Sequence, residues 1–388
     1  MRIGFWANNL NFRSGGGASF ENNIFRTLYK TDINCNIHIF HNNDKLVQDK
    51  KNIKFIKLQP PVFKSKAIFK KQRKRQITKK KREFDLKYKS VLNKACTENK
   101  IDLFWFLSPI GVQEVDIPYV MTVWDLQHRL QPYFPEVSVG GWTFEEREFF
   151  YQKYLPKATY IVIGNETGKK QVIDLYNIPE FRVKTLFMPV SDKFFEKIEE
   201  IDIKKKFKIK DDYIFYPAQF WPHKNHIRIL KAIKSLNLNV VFTGSDQGNQ
   251  NYIKKCVEAM GLTHKVFFLG FVSHKELMNL YKKAKALVFP SFFGPDNIPP
   301  LEAMALRCPV ICSNVDGMEE QLNDCALFFN PLNEGEIVKN LKMLDDIKTK
   351  NSLVEKGYNW VSNRKSSKYV MEIANIINDF SKIRECWD

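Results

Sequence analysis

Short apolar runs alternate with amphipathic stretches over most of the chain. In the first half the runs are Arg2–Trp6, Asn36–Phe40, Ile53–Leu58, Leu103–Phe106, Tyr119–Val123, Tyr160–Ile163 and Val183–Phe187. A second series follows at Tyr213–Tyr216, Asn239–Thr243, Val266–Leu269, Ala286–Phe289, Val310–Cys312 and Ala326–Phe329. Between them apolar residues recur with a helical period, as in Phe20–Tyr29, Ile227–Ser235, Asn251–Met260, Lys275–Lys283 and Pro300–Leu306. Continuous apolar runs suit strands buried on both faces. The alternation therefore predicts βαβ units, an α/β architecture of parallel sheets covered by helices on both sides. The rhythm breaks once, in the polar segment 189–210, which predicts two Rossmann-like halves meeting near residue 194. The tail from Trp360 reads as helical with no strand after it, and so is free to pack back across that boundary.

Composition narrows the picture. A length of 388 residues suits two domains, and 44% hydrophobic residues rule out disorder over most of the chain. The longest uncharged apolar stretches, Leu103–Gln113 and Ala286–Pro295, are far shorter than the roughly 18 residues of a membrane span. The N-terminus turns polar by Asn8, before a signal-peptide core, so a cytoplasmic location is expected. Seven cysteines without a CxxC pair read as reduced thiols rather than disulfides or a zinc site.

The chemistry-bearing residues cluster where strands end and helices begin, the ligand-binding edge of doubly wound domains. Gly15, Gly16 and Gly17 follow the first strand and open a helix, where backbone N–H groups can approach an anion. Phe20 at the third position separates this from GxGxxG, and a plain turn is the alternative reading. Asp125 and His128 lie just past the strand Tyr119–Val123; there a catalytic pair and a helix-capping Asp are both open. Lys224 precedes the helix from Ile227, a placement that suits a phosphate. His223 and His226 flank it, without an evident third metal ligand. Pro299 and Pro300 preset a helical first turn, which is expected to hold Glu302 and to leave the N–H of Leu301 free for an anion. A carboxylate there can accept hydrogen bonds from vicinal hydroxyls. There is no Asp-x-Asp pair and no GxSxG elbow.

Together these residues resemble the retaining nucleotide-sugar glycosyltransferases of the GT-B fold, in particular glycosyltransferase family 4. The similarity runs over nearly the whole chain and is strongest from Tyr213 to Pro331. PPLEAMALRCPVICSN at 299–314 is similar to the family's most recognisable stretch, with FLGFVSHKELMNLYKKAKALVFPS before it and MEEQLNDCALFFNPLN after it. The resemblance implies an N-terminal acceptor-binding domain over 1–193 and a C-terminal nucleotide-sugar-binding domain over 194–365. The two face each other across a cleft, and a last helix near 366–388 crosses back. It implies that Glu302 holds ribose hydroxyls and Lys224 the diphosphate. Gln219, Gly244, Ser245, Phe271, Val272, Asn297, Ile298 and Leu301 would lie along the donor, and Gly16 and Gly17 near the diphosphate from the other lobe. Asp125, then His128, would serve the acceptor hydroxyl. Three positions depart from the family pattern. Gly294 stands where a first glutamate is usual, Gln219 where an arginine is, and Trp124 where a histidine is.

The expected activity is metal-independent, cofactor-free transfer of a hexose with retention. The donor would be a GDP-, UDP- or dTDP-sugar and the acceptor a glycan or lipid-linked molecule of surface polysaccharide. An epimerase of the same fold, or a weakened sugar-nucleotide-binding scaffold, is the alternative. The net charge of +18 is strongly local: residues 64–82 hold eleven basic side chains and no acidic one. With scattered apolar residues such as Ile68 and Phe69, this run fits an anionic membrane surface or a solvated Lys-rich segment. Sparse aromatics within it argue against nucleic acid.

Overall fold

A computed structural model describes residues 1–8, 16–42, 50, 52–58, 91–138, 142–294 and 296–387. The basic run 64–82, Gly15 and Pro295 lie outside the described residues. Two parallel sheets organise the chain. The first comprises β1 (Arg2–Ala7), β2 (Asn36–His41), β3 (Ile53–Lys57), β4 (Leu103–Phe106), β5 (Tyr119–Thr122), β6 (Tyr160–Ile163) and β7 (Val183–Thr185), in the order β3-β2-β1-β4-β5-β6-β7. The second comprises β8 (Tyr213–Pro217), β9 (Asn239–Thr243), β10 (Val266–Phe268), β11 (Ala286–Phe289), β12 (Val310–Ser313) and β13 (Leu327–Phe329), in the order β10-β9-β8-β11-β12-β13. Each strand coincides with an apolar run of the sequence.

The reason is burial on both faces. Along β4, Leu103 and Trp105 enter one core while Phe104 and Phe106 enter the core on the opposite face. A strand of alternating polarity would leave one of those faces unfilled. In the connector after β7, Met188 packs into the N-terminal core and Val190 into the C-terminal one. The chain crosses between domains a second time beside this point. Val190 N donates to Arg364 O at 2.8 Å, and Ser366 Oγ donates to Val190 O at 3.1 Å. The helix Ser366–Arg384 then lies on the first domain, burying Tyr369, Val370, Ile373, Ile377 and Phe380 in its core. Among the described residues no helix is long and apolar enough to cross a membrane.

Strand order reverses between β1 and β4 in the first sheet and between β8 and β11 in the second. Loops leaving the carboxyl ends of strands at such a point diverge to opposite faces and open a crevice. The start of the helix Gly16–Lys30 and the loop after β5 face the loops after β8, β9 and β11, and a cleft of about 590 Å³ lies between them.

Candidate active site

The C-terminal wall is built from three loops. After β8 the chain runs through Gln219 to the short turn Pro222–Lys224, and Asn225 reverses it in the left-handed region at φ 55°. The Asn225 side chain donates to Pro290 O (3.0 Å) and Pro331 O (2.8 Å), tying this loop to two others. Tyr216 Oη bonds Lys224 O at 2.7 Å, so the lysine backbone is fixed from both sides. Its ammonium lies 5.3 Å from the Phe289 ring centroid and donates to Asn297 Oδ1 at 3.2 Å. Burial pulls the Lys224 pKa down to about 8, against the pull of the Asp125 and Glu136 carboxylates.

Gly244, at φ 132°, lets the loop after β9 press on the carbonyl of Ala218, which a Cβ would strike. Ser245 Oγ there accepts from Gln219 Nε2 at 3.0 Å, and Trp221 Nε1 donates to Gln219 Oε1 at 3.3 Å. Gln219 is thus bound on both ends of its amide. Gly270, Phe271 and Val272 continue this wall.

After β11 the loop enters the helix Ile298–Ala305. Gly294 sits at φ 131°, and any Cβ would collide with the Asn297 amide, whose Nδ2 donates to Gly294 O at 2.7 Å. Glycine is required at this position, which accounts for the missing glutamate. The nearby Asp296 instead meets the first domain. It accepts from Asn165 Nδ2 at 3.1 Å and leans over Gly164, and burial lifts its pKa to about 7. Glu302 lines the cleft, receives the Tyr281 hydroxyl at 2.7 Å, and is also pushed up to about 7 by burial.

Two expectations about this helix change. Glu302 is the fifth helical residue rather than a first-turn residue, because Ile298 and not Pro299 starts the helix. Leu301 is buried in the core, and its N–H is the first that can pair inside the helix. With prolines at the next two positions and Asn297 N bonded to Gln321 Oε1, the N–H of Ile298 is the donor left without a partner among the described residues.

The N-terminal wall carries Gly16, Gly17, Trp124 and Asp125. The Trp124 ring lies where a Cβ on Gly17 would be. Asp125 Oδ1 accepts from Gln127 N (3.0 Å) and from the Arg147 guanidinium (3.2 Å), so it braces the turn and holds a second cation at the cleft. His128 does not reach the cleft. It is fully enclosed, stacked on Tyr151 at 5.5 Å, with Nε2 against Glu148 (3.3 Å) and Tyr176 Oη (3.0 Å). Burial holds its pKa down near 4, so it is a neutral packing residue.

The remaining predicted positions, Gly16, Gly17, Asp125, Gln219, Lys224, Gly244, Ser245, Phe271, Val272, Asn297, Ile298 and Glu302, line one cleft. Sequence reasoning missed Glu136, Trp142, Arg147 and the lining role of His223. Only Glu136, just after Pro135 at the start of a short helix, left a faint local mark. Direct contacts hold the walls together. Gln131 Nε2 donates to Phe292 O at 2.8 Å. Glu320 accepts from Glu166 N at 2.6 Å and Thr167 N at 3.0 Å, capping a helix of the other domain.

Residues 197–360 match the family described as glycosyl transferases group 1. Over 227 residues the chain is 31% identical to the O-antigen chain mannosyltransferase RfbU of Salmonella typhimurium, covering 56% of this chain and 60% of that protein. It is 26% identical over 186 residues to O-antigen chain mannosyltransferase B of Escherichia coli, covering 46% and 49%. The chain thus spans about half to three-fifths of the length of these two relatives. Among solved structures, sucrose-phosphate synthase of Thermosynechococcus elongatus superposes with a TM-score of 0.77 at 14% identity over 98% of this chain and 99% of that one. Anabaena HepE in complex with UDP and glucose gives 0.71 at 14% identity, over 98% and 100%. The chain has the two-domain GT-B fold, and the family match falls within its C-terminal domain.

Proposed function

We propose that the protein is a retaining, metal-independent glycosyltransferase. It would move a hexose from a nucleotide sugar to a glycan or lipid-linked acceptor in surface polysaccharide synthesis. The observation that carries the reading is the pairing of Lys224 and Glu302 on one wall of the interdomain cleft. An ammonium held low in pKa by burial gains most from an arriving diphosphate, and a carboxylate on the same wall can receive two ribose hydroxyls. Support for a nucleotide sugar also comes from the HepE structure, which holds UDP-glucose. The mannosyltransferase relatives make GDP-mannose the first donor to try.

Breaking the anomeric C–O bond leaves negative charge on the diphosphate. Lys224, the Ile298 N–H and Arg147 meet that charge inside a cleft that two domains close against water. Metal independence is part of the proposal. Among the described residues no three His, Cys, Asp or Glu side chains converge as a metal site. The sequence offers Asp125 as the group that takes the acceptor proton. Its bonds to Gln127 and Arg147 favour instead a role in holding the guanidinium. The enzyme would work in the cytoplasm at the inner membrane face, with the basic run 64–82 on anionic lipid.

The test is transfer from GDP-mannose, UDP-glucose and dTDP-glucose to octyl hexosides in EDTA, with the product linkage read by NMR. An α-linked product from an α-donor supports the reading. Transfer abolished by EDTA, an inverted product, or no turnover of any donor overturns it.

A further inference from the structure

The N-terminal wall holds three buried polar atoms without partners among the described residues: Trp124 Nε1, Gln127 Nε2 and Glu136 Oε2. All three residues line the cleft. An unmatched buried carboxylate oxygen is costly, so its retention at a cleft points to a ligand that completes it. Glu136 is the most constrained of the three. Its side chain is only 4% exposed, and its Oε1 accepts from the His223 backbone N–H at 3.3 Å and pairs with His223 Nδ1. His223 is the residue before Lys224, so this contact from the first domain sets the free oxygen of Glu136 beside the proposed diphosphate cation.

The other cleft carboxylates are placed differently. Asp125 is held by Gln127 and Arg147 and Glu302 by Tyr281. Asp296 also has an unpartnered oxygen, Oδ2, but its carboxylate is packed into the domain contact on Asn165 and Gly164. A bare carboxylate oxygen next to a diphosphate repels it, and therefore suits a hydroxyl donor rather than the phosphate itself. Burial pushes the Glu136 pKa up, but the bonds from His223 more than reverse this and leave it below the ordinary range. At neutral pH the group is an anion that accepts and does not donate.

We infer that Glu136 is the catalytic residue that receives the acceptor sugar's attacking hydroxyl, with Trp124 Nε1–H and Gln127 Nε2 donating to neighbouring hydroxyls of the same sugar. In the step, the hydroxyl oxygen bonds the anomeric carbon on the face the diphosphate leaves, so configuration is retained, while the anomeric carbon–phosphate oxygen bond breaks. The electron pair leaves on the diphosphate, and the hydroxyl proton passes to Glu136 Oε2. This assignment rests on the transferase reading above.

The experiment compares wild type with Glu136→Gln, using GDP-mannose and octyl hexosides, with the thermal shift produced by GDP as the folding and donor control. The expected result is a GDP shift equal to wild type and a loss in acceptor transfer of about 10²–10⁴-fold. Glu136→Ala should regain part of its rate in formate, which a purely structural role does not allow. Equal transfer by wild type and Glu136→Gln overturns the inference. So does a Gln variant that loses the GDP shift together with transfer, or an Ala variant indifferent to formate. Wild type without transfer from GDP-mannose overturns the transferase reading and this inference with it, whereas a failure confined to the Glu136 comparison overturns the inference alone.

Discussion

Replacing Lys224 by Met keeps the side chain's length and removes its charge. Burial lowers the group from an ordinary 10.5 to about 8. At about 1.4 kcal/mol per unit, holding the empty cleft's ammonium charged at pH 7 opposes folding by about 3 kcal/mol. The side chain's partial solvent access and the lost bond to Asn297 Oδ1 reduce the net gain on substitution to about 1–2 kcal/mol. The unliganded Lys224→Met protein should therefore melt higher, by roughly 2–8 °C at the 2–4 °C per kcal/mol usual for domains of this size. The gain is full below pH 8, where the native lysine still binds its proton. It shrinks as pH climbs from 8 toward 10.5, because there the unfolded chain binds more protons than the native one and the wild type recovers stability. GDP should reverse the ranking. Wild type gains RT ln(1 + [L]/Kd), and the variant loses a charge-assisted bond of about 1.5–3 kcal/mol, or about 10–150-fold in affinity. Differential scanning calorimetry with and without GDP from pH 7 to 10 reads both effects. A variant less stable than wild type without ligand, or one with an undiminished GDP shift, would refute the reasoning.

Three further outcomes follow from the same geometry. Glu302 must be ionised to accept two hydroxyls and is held near 7, while Lys224 must be charged and is held near 8. Nucleotide affinity by calorimetry should thus fall below about pH 7, with proton release on binding, and fall again above about pH 8, with proton uptake; a flat profile from pH 5.5 to 9 contradicts this. Gly294→Ala places a Cβ against the Asn297 amide at a φ of 131°. It should lower stability by about 1–3 kcal/mol and weaken GDP binding through the Asn297–Lys224 bond, and a melting point equal to wild type counts against it. Neutralising the eleven basic residues of 64–82 should abolish sedimentation with phosphatidylserine vesicles while leaving turnover on octyl hexosides intact, and equal sedimentation with neutral vesicles argues against an electrostatic surface.

The fold was legible because burial on both faces writes an unbroken apolar run for central strands such as β4, β5 and β11, while the edge strand β3 (IKFIK) is apolar only in part. Lys224, Glu302 and Gly244 were legible because each stands at the carboxyl end of a strand or the helix after it. Asp125 and His128 looked like a pair three residues apart, but the helix begins only at Gln127. Asp125 therefore stays in the loop that faces the cleft, while His128 falls inside the helix and turns inward onto Tyr151. Leu301 was misread because the helix opens one residue earlier than its prolines suggest. Glu136 was illegible for a different reason. Its neighbour in the cleft is His223, 87 residues away and in the other domain, so its meaning exists only once the two walls meet. Gly294 reads as a lost glutamate in the sequence; the structure supplies the cause in the Asn297 amide that occupies the space.

The central claim is that the second domain grips a sugar nucleotide by its diphosphate and ribose. A crystal structure of the protein soaked with GDP-mannose tests it most directly. The account predicts diphosphate oxygens within hydrogen-bond distance of Lys224 Nζ and the Ile298 N–H, and both ribose hydroxyls on Glu302. Nucleotide bound outside this cleft, or inside it with Glu302 still closed on Tyr281 alone and the ribose elsewhere, would contradict it.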